Sequence, residues 1–380
     1  RNVKISSKNT SLSEGVTHLD DRLRQSPKLN FKFKNFQSNM AAAEERAGYT
    51  FNESCNICAT VTIGLERVCA LECERKLACK VHQGRGRIYF EISCTDIGKI
   101  KDLRSVENLF VVVADIAFSA YESVEETLER FYHLPEQLNW DSAIRVWKKF
   151  NEISSDSPVQ NFFPILNLKS GTTDTKQAAE SVDPDQGSDP VGSHSSMDKQ
   201  TTTGKVLPRF RVTCTRTHSV PSQKHPFTSM QAAAKFGGGI NDLFGWIVNL
   251  ENFDLEVLLN IVDSRVVVGI SLTKESLFRR NIVNFGPTTL RSTLAYCLAL
   301  AADIKKGDVV CDPLCGSGAI PIECAVEWPC SFNISGDNFP CAPSRTQDNV
   351  NYVNNLRSDE NKKSVPVDTI LWDACRLPLK

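Results

Sequence analysis

The chain has 380 residues, a formal net charge of −1 and 41% hydrophobic residues. This length exceeds one ordinary domain, so two or three domains are expected. No apolar run reaches about 18 residues, so no membrane-spanning helix is expected. The near-zero charge excludes a chain that is basic throughout, so any surface that binds nucleic acid must be local.

The fourteen cysteines are scattered along the chain, mostly inside apolar or helical patterns. Without a secretory signal pattern, this favours reduced thiols in a cytoplasmic protein, with the nucleus as the alternative compartment. One cluster, Cys55-x-x-Cys58 with Cys69-x-x-x-Cys73, has some of the character of a zinc site. Because the second pair lies in a helical pattern and no His completes a known spacing, we predict no metal site.

The N-terminal segment differs in charge from the rest. Residues 1–39 carry eight Lys or Arg against three Asp or Glu, a net charge of +5, and the remainder carries −6. The first methionine is Met40, which Ala-Ala-Ala-Glu-Glu follows. We interpret residues 1–39 as upstream sequence or a disordered tail, and expect the tail to reach residue 54.

Residues 55–120 alternate between strand and helix patterns. A β-type run at 57–63 precedes an apolar stripe of period four at 65–77, and strand patterns follow at 87–93 and 109–113. A short helix is predicted between those two strands. This β-α-β-α-β order predicts a small α+β domain.

Residues 121–277 form a second predicted domain with an insertion. Helices are predicted after Ser123 and from Trp140 to Phe150. Residues 151–206 hold eight acidic residues against four lysines and few apolar residues, which predicts a disordered acidic insertion.

Order resumes after the insertion. Residues 210–216 alternate as a strand, and Thr228 is a predicted helix cap. The run Gly237-Gly-Gly239 predicts an interruption of that helix, and close approach of an RNA backbone is the alternative. A hairpin is predicted from 253–262 and 266–272, with Leu255, Val257, Leu259 and Ile261 on one face of its first strand.

The segment Asp308–Glu323 predicts a strand, a glycine-rich turn and a helix. Gly316 and Gly318 allow the backbone to approach a ligand closely. Two further strand–helix units end their strands at Asp337 and Asp373, which predicts a parallel sheet with three carboxylates at one edge. Pro321 stands where a dinucleotide-binding loop has its third glycine, so a nicotinamide enzyme is disfavoured.

Asp312-Pro-Leu-Cys-Gly316-Ser-Gly318 resembles the first motif of S-adenosylmethionine-dependent tRNA guanine-N2 methyltransferases that carry a THUMP domain. Upstream segments resemble the same family, namely 210–216, 253–272, 279–281 and 285–291. The resemblance implies a multidomain α+β and α/β protein: a ferredoxin-like/THUMP RNA-binding module followed by an incomplete Rossmann-like methyltransferase sheet. The implied domains are a ferredoxin-like domain (55–120), a THUMP domain with the insertion (121–277) and a partial methyltransferase domain (278–380).

The resemblance also implies roles for single residues. The methionine end of the cofactor falls on Asp312, Cys315, Gly316 and Gly318. The ribose hydroxyls fall on Asp337 with Asn338, and the adenine amino group on Asp373 with Ala374. For RNA phosphates the candidates are Arg216, Arg279 and Arg280. A solvated surface or an interdomain salt bridge is an equally weighted alternative for these arginines.

The family's catalytic motif is an acidic residue followed by Pro and an aromatic residue, at the end of the fourth strand. No such motif occurs before Lys380. We therefore expect the catalytic residues to lie beyond Lys380, and a fragment ending there to be inactive alone.

The implied function is transfer of a methyl group from S-adenosyl-L-methionine to the exocyclic N2 of a tRNA guanosine, with the THUMP module holding the acceptor end. The implied partners are tRNA and a small zinc-binding activator subunit. The alternative is a catalytically incomplete RNA-binding protein.

Overall fold

The computed structural model describes residues 54–118, 123–153, 207–218 and 225–377. The predicted tail at 1–39 and almost all of the predicted insertion lie outside these residues. No helix in the described ranges is long and apolar enough to cross a membrane. All fourteen cysteines are described and free, and eight of them are buried.

A large sheet of eight strands forms the first part of the molecule, in the order β2-β3-β1-β4-β8-β7-β5-β6. Most neighbours are antiparallel, but β5 runs parallel to both β7 and β6. The strands are β1 (Ser54–Thr60), β2 (Val81–Gly84), β3 (Arg87–Ser93), β4 (Asn108–Ala117), β5 (Arg209–Thr217), β6 (Ile247–Val248), β7 (Leu255–Val262) and β8 (Arg265–Ser271). The predicted hairpin is thus confirmed as β7 and β8.

Four helices pack on this sheet and share one core with it. They are α1 (Glu66–Leu77), α2 (Val124–His133), α3 (Trp140–Phe150) and α4 (Ser229–Phe244). Alternate strand residues point into the core, including the predicted face of β7 from Leu255 to Ile261. A short 3₁₀ helix, Cys94–Asp102, stands where a short helix was predicted before β4.

Helix α4 runs through the three glycines without a break, so the predicted interruption at Gly237-Gly-Gly239 was wrong. A Cβ at Gly239 would lie 1.9 Å from the carbonyl oxygen of Tyr132, at the end of α2. Glycine is therefore needed because two helices approach closely. The cap was predicted correctly, since Thr228 and Gln231 form a reciprocal capping box.

The pairing of β4 with β8 joins the two predicted N-terminal domains into one sheet. Their core is also continuous, because it includes residues from β1 through β8. The division at residue 120 remains a prediction from sequence, and the observed sheet crosses it.

The second sheet has three parallel strands in the order β11-β10-β9, which confirms the predicted alternation. The strands are β9 (Val309–Asp312), β10 (Phe332–Asp337) and β11 (Val367–Leu371). Three helices accompany them: α5 (Ser292–Ala301), α6 (Ala319–Glu327) and α7 (Cys341–Asp359). Ala295, Ile322 and Val350, one from each helix, share a second apolar core.

Candidate cofactor site

The glycine loop connects β9 to α6 at the carboxyl edge of the small sheet. Gly316 and Gly318 have φ angles of +57° and +81°, a region that residues with a Cβ rarely adopt. The amide of Cys315 donates to the carbonyl of Gly336 at 2.9 Å, which ties the loop to the neighbouring strand β10. The loop is therefore a fixed turn whose backbone faces the strand ends.

Two glycines in this region are required by close packing. A Cβ at Gly318 would lie 2.5 Å from Cγ2 of Thr346 on α7, and a Cβ at Gly336 would lie 2.3 Å from the ring of Trp372. The Trp372 indole N–H donates to the carbonyl of Pro313 at 3.1 Å. Helix α7 and the end of β11 thus both hold the glycine loop in place.

Asp337 joins the loop to the end of β10. Its carboxylate accepts the Gly316 amide at 3.0 Å and the Phe339 amide at 2.9 Å. Asp312 ends β9 and accepts the Leu314 amide at 3.2 Å. Burial raises the pKa of Asp312, and the charge of Asp337 raises that pKa further. Two carboxylates therefore share the strand edge, and a bound positive charge would relieve their repulsion.

A cavity of about 260 Å³ opens beside this loop. Its volume is near the lower end of small-ligand sites, about 300 Å³. Among the predicted site residues, Gly316 and Asp337 line it. The other lining residues are Gly286, Pro287, Thr288, Thr289, Ser317, Phe339, Ala342 and Arg345.

The segment before α5 forms another wall of the cavity, and it carries site residues that sequence reasoning did not identify. Thr289 Oγ1 accepts the Gly286 amide at 2.7 Å and lies 3.1 Å from the Ser317 hydroxyl, which donates to it. Asn349, fully buried on α7, donates to the Ser317 carbonyl at 2.8 Å and accepts the Val283 amide at 2.9 Å. The only sequence signal for this wall was that 285–291 matched the family motif, without an assigned role.

The remaining predicted cofactor residues do not line the cavity. Cys315 is buried, and its sulfur lies 3.6 Å from Thr346 Oγ1. Asn338 is exposed beside Asp337. Asp373 is exposed after β11 and accepts the Cys375 amide at 2.9 Å, and Ala374 begins the 3₁₀ turn there. The three strand-end acids thus occupy one edge, as predicted, and only the middle one faces the cavity.

The predicted RNA-contacting arginines have different surroundings. Arg280 donates to the carbonyls of Leu103 at 2.7 Å and Val106 at 3.3 Å, so it makes an interdomain contact through hydrogen bonds where the alternative was a salt bridge. Arg216 donates to Ser229 Oγ at 3.0 Å and to the Phe227 carbonyl, so its guanidinium holds the start of α4. The exposed Arg279 lies near two aromatic rings, those of Phe278 and Phe285. Arg279 is the most accessible of the three for a phosphate.

Comparison with known proteins identifies the family. Residues 279–368 match the family model described as "RMKL-like, methyltransferase domain". The chain is 39% identical to the Homo sapiens "tRNA (guanine(6)-N(2))-methyltransferase THUMP3", over 93% of this chain and 76% of the human protein. The chain belongs to the THUMP3 methyltransferase family. This confirms the resemblance found in the sequence.

Other relatives give the breadth of the family and its fold. The Bos taurus THUMP3 protein is 40% identical over 85% of this chain and 70% of its own length. The Mus musculus "U6 snRNA (guanine-N(2))-methyltransferase THUMPD2" is 29% identical over 78% of this chain and 62% of its own length. TrmN from Thermus thermophilus superposes with a TM-score of 0.52 at 18% identity, covering 83% of this chain and 73% of TrmN. "SMU.472, a putative methyltransferase complexed with SAH" superposes with a TM-score of 0.52 at 15% identity, covering 84% of this chain and 76% of SMU.472. The mixed α/β fold with a methyltransferase-like sheet is therefore shared with these proteins.

The cavity suits S-adenosyl-L-methionine, the cofactor of this family of enzymes. The cofactor carries a sulfonium, an ammonium and a carboxylate. Here Asp337 and Asp312 provide negative charge, and Arg345 provides positive charge. A Cβ at Gly318 or Gly336 would overlap Thr346 or Trp372, so the two glycines allow the loop to pack closely against α7 and the strand ends, beside the cavity. In chemical character, these residues fit the zwitterionic end and the ribose hydroxyls of the cofactor.

Proposed function

We propose that this protein transfers a methyl group from S-adenosyl-L-methionine to the exocyclic N2 of a guanosine in tRNA. The observation that carries the proposal is the cavity lined by the hydrogen-bonded residues Gly316 and Asp337, in a chain 39% identical to a tRNA (guanine(6)-N(2))-methyltransferase. The higher identity to the THUMP3 proteins than to the U6 snRNA enzymes favours tRNA as the substrate.

The bound cofactor would supply an electrophilic methyl group on its sulfonium. Asp337 would hold the ribose hydroxyls, the loop at Gly316 would hold the methionine end, and Arg345 would pair with the carboxylate of that end. The guanine N2 is a weak nucleophile because its lone pair is delocalised into the ring, so its orientation matters more than its basicity. The guanosine must leave its stack to reach the cavity. Asp312, Asp337 and Arg345 would bind and orient the cofactor.

The large sheet and helices α1 to α4 would serve as the ferredoxin-like/THUMP module that holds the tRNA acceptor end. The exposed Arg279 lies where the module joins the small sheet, and its guanidinium would contact a phosphate. We also propose that a small zinc-binding activator subunit assists the enzyme.

The test is methyl transfer from labelled cofactor to unmodified tRNA and, in parallel, to U6 snRNA, using the full-length natural protein with and without the activator. Mass spectrometry of the RNA digest identifies the product. We expect N2-methylguanosine in tRNA, and a loss of cofactor binding of about tenfold or more in Asp337→Asn, which no longer offers a carboxylate to the ribose. Asp359→Asn, on the exposed end of α7, is the matched control and should bind normally.

Two outcomes would redirect the proposal. Methylation of U6 snRNA alone would change the substrate. No transfer to either RNA, with the activator present and cofactor binding intact, would favour an RNA-binding protein without catalysis.

A further inference from the structure

A buried ion pair connects the large sheet to the helix that begins at the glycine loop. Arg104, between the 3₁₀ helix and β4, donates from Nε and Nη2 to Oε2 of Glu323 at 2.8 and 2.5 Å. Glu323 lies on α6 and is 1% exposed, and the Arg104 side chain is 14% exposed. Asn281 donates to the other Glu323 oxygen at 2.8 Å. The Glu323 carboxylate therefore has partners on both of its oxygens.

A second set of charged contacts runs beside the first. Glu327, one turn further along α6, pairs with Arg75 and Lys76 of α1, each at 3.0 Å. Lys76 also pairs at 2.9 Å with Glu72, which is fully buried. Glu72 in turn accepts the backbone amide of Arg104 at 2.9 Å. The two sets of contacts thus meet at the main chain of Arg104.

The connecting segment is held to the same place. The Arg280 guanidinium donates to the carbonyls of Leu103 and Val106, on either side of Arg104 and Ser105. The Ser292 hydroxyl, at the start of α5, donates to the Arg280 carbonyl. The segment that carries Arg104 therefore contacts α1, α6 and the link into α5.

These contacts are better suited to fixing an orientation than to adding stability. Burying a charge pair costs about as much in lost hydration as the pair regains, so apolar residues of similar size would often hold two surfaces together equally well. An ion pair with several directional hydrogen bonds nevertheless allows one arrangement of the two surfaces. Helix α6 follows Gly318 directly, so a shift of Glu323 along the helix axis would move the glycine loop and the cavity.

We propose that Arg104 and Glu323 are positioning residues that fix the large-sheet module relative to the cofactor loop, so that a bound RNA presents its guanosine at the cavity. The inference rests on the proposed function. Neither side chain lines the cavity, so both act through the placement of α6.

The test separates placement from binding. Arg104→Met and Glu323→Gln are compared with the wild type in the full-length natural protein for cofactor affinity, tRNA affinity and single-turnover rate with both ligands saturating. We expect both affinities to stay within about twofold, and the saturating rate to fall by about 10- to 100-fold, as for a misplacement of about 1 Å. The double variant should lose no more than the worse single variant, because both remove the same contact.

Arg67→Met is the matched control. Arg67 and Glu74 both lie on α1 and form a longer, more exposed ion pair at 3.8 Å. The single-turnover rate of Arg67→Met at saturating ligands should equal that of the wild type. Glu323→Gln keeps an acceptor for Asn281 and is the milder of the two interface variants.

A readout that does not depend on activity accompanies the kinetics. Hydrogen exchange of the peptides covering 103–106 and 319–327 should accelerate by about tenfold in Arg104→Met, with the α4 peptides unchanged. If the wild type transfers no methyl group to RNA, the proposed function fails and the exchange measurement still tests the coupling. In active protein, an unchanged saturating rate, or a rate loss explained by weaker binding, would refute the positioning role. Unchanged hydrogen exchange in the two peptides would refute it as well. Failure of both variants to fold would also refute it, because the ion pair would then be a requirement for folding.

Discussion

Replacement of Gly318 by alanine probes the packing between the glycine loop and α7. The residue has a φ of +81°, which costs a residue with a Cβ about 1–2 kcal/mol. The new methyl would lie 2.5 Å from Cγ2 of Thr346, a fully buried side chain. Relief of such an overlap in a packed interior costs a further 1–3 kcal/mol or so. The free energy of unfolding should therefore fall by about 2–5 kcal/mol.

Two companion variants divide this loss into its parts. Gly307 has a similar φ of +88°, and a Cβ at that position would meet no atom within 4 Å, so Gly307→Ala should lose only the backbone contribution of about 1–2 kcal/mol. Thr346→Ser removes the methyl group in question and keeps the hydroxyl that donates to the Gly316 carbonyl. In the Gly318→Ala background, this change should restore most of the packing contribution.

The assay is urea-induced unfolding at 25 °C with linear extrapolation, together with calorimetric titration of the cofactor. Cofactor affinity should fall in Gly318→Ala and recover in part with Thr346→Ser. Equal losses of stability in Gly318→Ala and Gly307→Ala would refute the packing argument. So would a double variant with Thr346→Ser that is no more stable than Gly318→Ala alone.

Three further predictions concern Asp312, at the end of β9, and helix α4. Burial raises the pKa of Asp312, so the charged carboxylate destabilises the fold once the pH rises above the ordinary pKa of an aspartate. Asp312→Asn should therefore raise the melting temperature at pH 7.5 but not at pH 3. The same variant should bind the cofactor more weakly in titrations. Gly239→Ala should lower the free energy of unfolding in urea by about 3 kcal/mol, because the new methyl would overlap a backbone oxygen. Gly237→Ala, whose new methyl would have its nearest contact at 3.5 Å, should raise the free energy of unfolding by up to about 1 kcal/mol. Thr228→Ala should lose about 1 kcal/mol through its cap, and no change in thermal unfolding would contradict the capping role.

The elements with strong local signals were predictable from sequence. Strand β3 covers the predicted residues 87–93, and Thr228 caps α4 as expected, because alternation and capping depend on neighbours in the chain. The edge of three carboxylates was also predictable, since parallel strands end at the same side of a sheet. Local pattern thus located the glycine loop and its acidic neighbours.

Features set by distant residues were not predictable. The glycines of α4 indicated a helix break because nothing local shows that Tyr132 approaches them. Arg280 was equally plausible as a phosphate ligand until the carbonyls of Leu103 and Val106 were seen beside it. Arg345 gave no sequence signal, and Thr289 gave only its place in the 285–291 match, since the role of both residues follows from a cavity that several separate segments form.

The pairing of β4 with β8 has a consequence for synthesis of the chain. The two strands are about 150 residues apart, so at roughly 5–20 residues per second the edge of β4 waits on the order of ten to thirty seconds on the ribosome for its partner. During that time it presents unpaired amides and carbonyls to any other strand. A recombinant fragment that stops near residue 120 would keep this edge exposed permanently and would aggregate, so β1 through β8 are best expressed as one unit.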